Sequence, residues 1–251
     1  KYYTYIRLMG LLLKSLIDII EEAIRQTYVV EENGRKYVIK YYSVEPGLVK
    51  WFIIKSLSMP LQIYPYVTSP RDRMIRELDF FNRKPGNVNT PRIIDIDWNN
   101  YSIKREYIKG EIFRANMPHL KYIELAQTLA KIHKARYALG DSKYTNFIVT
   151  DHDEIYIIDA EQAIETNNEI HYSWDLIIFT VTILYSYGFL KDIEHLYSRL
   201  RLFYDSYMDY HNVDPVSNII NKVRLRTIFS ILVPLPYNVQ LINMLKEITS
   251  K

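Results

Sequence analysis

Apolar residues first recur at helical spacing. Ile6, Met9, Leu13, Leu16, Ile17, Ile20 and Ile24 share one face and predict an amphipathic helix over roughly residues 4–25. The period then changes. TYVVEENGRKYVIKYY sets two runs of β-branched and aromatic residues around Glu-Asn-Gly, a hairpin signal. The next apolar stretch, PGLVKWFIIKSLSMP, carries two lysines and reads as a helix or an irregular insert. SPRDRMIRELDFFNRK is a helix, with Ser69 or Asp72 as cap, Pro70 in the first turn, and Met74, Leu78 and Phe81 on one face.

RIIDID and YSIKREYI come next as strands joined by a turn at Asn99-Asn100. Leu120, Ile123, Leu125, Ala126, Leu129 and Ile132 predict a helix over 119–138. Two short strands flank the turn at Asp151–Glu154. From Trp174 onward the pattern is helical, with breaks at Pro215 and at Pro234/Pro236. The apolar run Leu176–Leu190 is interrupted by Thr180, Thr182, Ser186 and Gly188. It falls short of the ~20 residues that a membrane span needs and predicts a buried helix. There are no internal repeats and no low-complexity segment. The order is a β-rich first half carrying one central helix, then a mostly helical second half, an α+β chain.

Composition changes this picture little. With 251 residues, 48% of them hydrophobic, the chain can bury a sizeable core in one large domain or two lobes. A net charge of +3 does not call for nucleic acid as a partner. The absence of Cys excludes disulfides, thiolate metal sites and Cys nucleophiles. The 23 Tyr, the many Ile and Lys and only 7 Gly suggest an AT-rich or thermophilic source. Leu8–Leu13 is a short run and Lys14 breaks it from the next apolar residues, so no targeting signal is expected and the chain reads as cytoplasmic. Trp51 and Phe52, flanked by Lys50 and Lys55, would suit peripheral contact with a membrane surface, but a helix packed on the first lobe is the preferred reading.

The chemistry concentrates in residues 140–163, GDSKYTNFIVTDHDEIYIIDAEQA. Phosphoryl transfer needs a group to orient the attacking hydroxyl, cations against the phosphates, and hard oxygen ligands for Mg²⁺. Asp141 to Asn146 has the spacing D-x-x-x-x-N, Lys143 lies two residues after that Asp, and Asp159 closes the apolar run IYII. Upstream, Tyr37-Val38-Ile39-Lys40 resembles V-A-I-K on a strand after a hairpin, with Lys55 in FIIK as a rival. Glu77 lies on the next helix, REYIKGE resembles an E-Y-x-x-G hinge, and Asp175 begins an apolar helix suited to support the loop. There is no G-x-x-x-x-G-K-[ST], G-x-G-x-x-G or H-E-x-x-H, and the six His show no metal spacing; His133 reads as structural.

LAKIHKARYALGDSKYTNFIV and YIIDAEQA resemble the catalytic core of the protein-kinase-like superfamily, and most of all its minimal members, the RIO kinases and the small archaeal kinase of the KEOPS complex. The resemblance spans roughly Thr27 to Phe189. It implies a bilobal protein-kinase-like fold, with a small β-rich N-lobe over residues 1–108 and a mostly helical C-lobe over 109–251. By the same resemblance Asp141 is the catalytic Asp and Lys143 a phosphate contact. Asn146 and Asp159 are Mg²⁺ ligands. Lys40 contacts the phosphates of ATP and pairs with Glu77, and the backbone of Glu106, Tyr107 and Ile108 holds the adenine.

The chain also departs from the pattern. Leu139-Gly140-Asp141 lacks the His and Arg of H-R-D, and Asp159-Ala160-Glu161 stands where D-F-G is usual, as in the aminoglycoside and choline kinases. No Gly-rich loop precedes Gly34, where Gly10 is the only glycine, and no A-P-E comes after Asp159. The expected function is an ATP- and Mg²⁺-dependent phosphotransferase, an atypical Ser/Thr protein kinase. The alternatives are a kinase for a small molecule, sugar or lipid-linked sugar, and a nucleotide-binding pseudokinase scaffold. The partner implied is a phosphate acceptor, protein or small molecule.

Overall fold

The computed structural model describes residues 26–43, 63–187, 193–233 and 235–250. The expected helix over 4–25, the insert from Pro46, including Lys50, Trp51, Phe52 and Lys55, and the segment where a Gly-rich loop would stand lie outside these residues.

The chain is α+β, with a small antiparallel sheet on one side and a mostly helical part on the other. The first hairpin forms as its sequence predicts. β1 (Thr27–Glu32) and β2 (Arg35–Tyr41) are joined by Asn33 and Gly34, with φ of 52° and 74°. Positive φ at both turn residues matches the right-handed twist of the strands, and Gly and Asn reach it at least cost. β3 (Ile93–Asp97) and β4 (Ser102–Glu106) complete a sheet in the order β1-β2-β4-β3.

Helix α1 (Pro70–Arg83) starts where Ser69 accepts the Asp72 N–H at 3.4 Å, with Pro70 in the first turn. Met74 and Leu78 pack with Tyr42 and Ile103 of the sheet, while Phe80 and Phe81 reach the larger core.

A second, three-stranded sheet is built from β5 (Gly110–Ile112), β7 (Phe147–Thr150) and β8 (Ile155–Ile157). Its β7–β8 hairpin turns at Asp151–Glu154, as expected. Helix α2 (His119–Lys134) ends earlier than its period suggests. Arg136 turns the chain at φ 61°, and Tyr137–Ala138 become β6, paired with β9 (Ile164–Glu165).

Helix α3 (Glu169–Tyr187) starts before Trp174, where the Asn168 side chain accepts the Ile170 N–H. It buries Trp174, Leu176, Ile177, Phe179, Ile183 and Leu184, so the apolar run is a core helix. Helix α4 (Glu194–Tyr210) packs on α2, α5 (Asp214–Asn221) and α6 (Val223–Leu232) pack on α3, and α7 (Tyr237–Thr249) packs on α4 and α5. Pro215 opens α5 in its first turn, where its missing N–H costs nothing. Among the described residues no helix is long and apolar enough to cross a membrane.

Gly34 has open space around a built Cβ, so Gly34→Ala is opposed only by its backbone angle. It should cost roughly 1 kcal/mol in urea denaturation. His211 stacks on Tyr207, ring centroids 5.5 Å apart. Burial, with His133 nearby, lowers its pKa from the ordinary range to about 4. Burial lowers His171 as well. At these two histidines the unfolded chain therefore binds more protons than the folded one from about pH 6.5 downward. The stability contributed by neutral His211 is present above the ordinary His pKa and is lost as pH falls toward 4. The urea midpoint should drop across this window, and His211→Phe should flatten that drop.

Candidate active site

β2 delivers Lys40 into the interior, where the ammonium meets three carboxylates. Its Nζ lies 2.7 Å from Glu77 Oε2 of α1, 3.0 Å from Asp159 Oδ1 and 3.1 Å from Glu161 Oε2. Oxygens of Glu77, Asp159 and Glu161 all fall within 4.8 Å of one another. Such crowding of like charge persists only with cations among them. Arg73 Nη2 donates to Glu161 Oε2 at 2.7 Å. Arg105 donates to the carbonyl of Ile158, the residue before Asp159, and its Nη1 stands 3.5 Å from Glu77 Oε1. The Tyr42 ring lies under both Lys40 Nζ, 5.0 Å from the centroid, and Arg73 Cζ, 5.9 Å.

This crowding sets the protonation states. Burial by itself lowers the pKa of Lys40, but Asp159, Glu161 and Glu77 outweigh it and hold the ammonium well above the ordinary lysine range. Burial raises Asp159, yet Lys40 and Lys143 outweigh it and keep the carboxyl well below its usual range. For Glu77 burial dominates and pushes the carboxyl up, with Lys40 only partly offsetting it.

The second half of the site is the loop Leu139–Asn146. Asp175, buried in α3, accepts the Leu139 N–H with Oδ2 and the Gly140 N–H with Oδ1, both at 2.7 Å. Its Oδ2 also lies 3.1 Å from His133 Nε2, and His133 Nδ1 lies 2.7 Å from the Tyr207 hydroxyl. The expected structural role of His133 is thus visible: it joins α2, α4 and the carboxylate that carries the loop. Gly140 has φ 71°, and a Cβ there would meet the Tyr64 ring at 2.3 Å.

Beyond that turn, the Asn146 side-chain amide donates to the Asp141 carbonyl at 2.6 Å, and the Ile158 N–H donates to the Asn146 carbonyl at 2.9 Å. The β7–β8 hairpin thereby returns the chain beside the loop just before Asp159. Lys143 Nζ lies 3.0 Å from Asp141 Oδ2. Burial lowers the Lys143 pKa, but Asp141 and Asp159 outweigh it and raise it above the ordinary range, so this ammonium links the two carboxylates electrostatically.

Lys40, Glu77, Asp141, Lys143, Asn146 and Asp159 therefore come together. Glu106, Tyr107 and Ile108 stand at the C-terminal end of β4, an interior strand of the sheet. β4 ends at Glu106, whose N–H is committed to the Arg92 carbonyl while its carboxylate accepts the Arg92 N–H. Tyr107 is exposed, with Lys36 Nζ 5.9 Å from its ring centroid.

Several residues escaped the sequence reading. Tyr66 donates to the Gly140 carbonyl at 2.7 Å and accepts from Trp174 Nε1 at 2.6 Å. Gln162 makes a two-way pair with the Val67 backbone. The strand-like QIYPY carries no signal for these contacts. Arg73 did have one: it stands four residues before Glu77, on the helix face that also carries Met74 and Leu78.

The donor set suits a hard divalent cation. The Asn146 amide nitrogen donates to the Asp141 carbonyl, its side-chain oxygen is a hard donor, and Asp159 keeps its carboxylate ionised.

No protein-family model matches the chain, and no curated protein matches it. Two solved structures of WbdD, described as a bifunctional kinase-methyltransferase, resemble it in backbone. One has 15% identity and a TM-score of 0.44, covering 72% of this chain and 42% of that one. The other has 14% identity and a TM-score of 0.43, covering 72% and 43%. The chain thus spans less than half the length of these structures.

Asp175→Ala would strand two buried N–H groups, each costing about 1–3 kcal/mol. Denaturant unfolding should show a loss of at least ~2 kcal/mol. A loss under ~0.5 kcal/mol, the size of a neutral surface change, would mean the loop does not depend on this carboxylate.

Proposed function

We propose that the chain is an ATP- and Mg²⁺-dependent phosphotransferase acting on an alcohol hydroxyl. The observation that carries this reading is the meeting of Lys40, Glu77, Asp141, Lys143, Asn146 and Asp159 from separate elements, with paired cations and hard oxygen donors side by side.

In this reading Mg²⁺-bound ATP supplies the phosphoryl group and the neutralisation of its charge. Asn146 and Asp159 would hold the metal. Lys40, kept cationic by its carboxylates and steered by Glu77, would hold phosphate oxygens. Asp141 would accept the proton of the attacking hydroxyl and orient its oxygen, with Lys143 alongside as a further cation. The backbone of Glu106, Tyr107 and Ile108 would receive the adenine.

A protein Ser/Thr hydroxyl is the first acceptor class. One observation favours a small hydroxylated acceptor instead: only Ala160 to Asn168 separate Asp159 from α3, and part of that link is β9, paired to β6. That leaves little chain to present a peptide.

Labelled ATP with Mg²⁺ tests the reading, with protein-bound, acceptor-bound and free phosphate separated. Asp141→Asn should lower transfer by about 10²–10⁴-fold, the range of a positioned proton acceptor. Nucleotide affinity should stay within about threefold, less than 1 kcal/mol. Label on the wild-type protein favours Ser/Thr, and label only on an added sugar or other small alcohol favours the second acceptor class. Transfer unchanged in Asp141→Asn would falsify the assignment of Asp141.

A further inference from the structure

Lys40 has three ammonium N–H groups and three carboxylates around it, but the three contacts are not equal. Among the described residues it hydrogen-bonds Glu77 at 2.7 Å and Asp159 at 3.0 Å. Its approach to Glu161, at 3.1 Å, is an ion pair without the hydrogen-bond alignment of the other two. The hydrogen bond to that same oxygen, Glu161 Oε2, comes from Arg73 Nη2 at 2.7 Å. Arg73 is itself buried. Its guanidinium sits near the Tyr42 ring, is 3.5 Å from the Tyr42 carbonyl through Nη1, and is 3.3 Å from Gln26 Oε1 through Nη2. Helix α1 therefore reaches Lys40 twice: directly through Glu77, and one turn earlier through Arg73 and Glu161.

We propose that Arg73 is a positioning residue that restrains Glu161, so that the third ammonium N–H of Lys40 stays available for a phosphate oxygen. The proposal rests on the phosphotransferase reading. A buried carboxylate without its cation takes the nearest alternative, and here that is Lys40. An ammonium hydrogen-bonded to Glu77, Asp159 and Glu161 together has no donor left, since lysine has three. The planar guanidinium fork suits the restraining role, because it is rigid and stays charged. Glu161 then has a structural purpose at the third position of Asp-Ala-Glu: it ties the segment that carries Asp159 to helix α1.

The test is calorimetric binding of ADP with Mg²⁺ to four proteins: wild type, Arg73→Met, Glu161→Gln and the double variant. Thermal melts check that each is folded. Arg73→Met should weaken binding about tenfold, the size of one charge-assisted hydrogen bond. Glu161→Gln should bind within about threefold of wild type, and the double variant should match Glu161→Gln, because Arg73 then has nothing to restrain. A merely structural Arg73 predicts the opposite: removing Glu161 would not rescue binding.

Equal binding by Arg73→Met and wild type overturns the proposal and leaves the phosphotransferase reading standing. Should Arg73→Met fail to fold, the double variant against Glu161→Gln decides alone: equal affinities support the proposal, and weaker binding by the double variant overturns it. Absence of ADP binding by the wild type overturns the nucleotide reading, and this proposal with it.

Discussion

An ammonium buried among carboxylates is the constraint on which the rest of the molecule depends. Moving an ion such as Lys40 or Glu77 out of water costs several kcal/mol, and only close pairing and hydrogen bonding offset it. The pairing partners come from distant parts of the chain. Lys40 belongs to the sheet, Arg73 and Glu77 to α1, and Asp159 and Glu161 to the segment that leaves the β7–β8 hairpin. Arg105 joins β4 to the same segment through the Ile158 carbonyl. None of these elements can move away without leaving a charge unpaired. The sheet, α1 and the helical part are therefore held to one another at this point by charge, while Phe80 and Phe81 add apolar packing between α1 and the helical part.

A second constraint acts on the backbone rather than on charge. The loop from Leu139 to Asn146 is too irregular to satisfy its own N–H groups, so other elements supply the acceptors. Asp175 takes two of them, and its burial in α3, with His133 Nε2 3.1 Å from its Oδ2, makes the acceptor rigid. Tyr64 fills the space where Gly140 has no side chain, and Tyr66 ties the Gly140 carbonyl to Trp174. Asp141 is thus presented from a loop whose shape is imposed by a helix behind it and two aromatic side chains beside it. This is the preorganisation that positioning chemistry requires.

Much of the fold was legible because the local signals agreed with the tertiary structure. Asn33-Gly34 encodes its own turn, Ser69 and Pro70 start α1, and Leu176 to Leu184 read as a buried helix because they are one. Disagreement arose where a long-range partner decided the outcome. Tyr137 and Ala138 continue the apolar period of α2, yet they pair with Ile164 and Glu165 as strand. Tyr107 and Ile108 have strand-like chemistry, but the register of β4 with β2 ends at Glu106. In the site, the spacing of Asp141, Asn146 and Asp159 pointed to one locus, since a loop leading into a hairpin brings its two ends together over a short distance. Arg73 and Arg105 were not singled out, and Glu161 only as the third residue of Asp-Ala-Glu, because a charged residue in isolation looks solvated.

The sequence by itself determined most of the order of strands and helices, the hairpin turns, and the loop-then-hairpin frame that carries Asp141, Lys143, Asn146 and Asp159, all of which rest on contacts between residues near in the chain. The Lys40–Glu77 pair was expected from the resemblance, but only the tertiary structure decided the other partners. Lys40 also meets Asp159 and Glu161 across separations that no local period encodes, and Asp175 reaches Leu139 and Gly140 only once α3 is packed. The reason is physical: a hydrogen bond or ion pair between distant segments depends on the packing of everything between them, and a charge reveals its partner only after burial has removed water as the alternative.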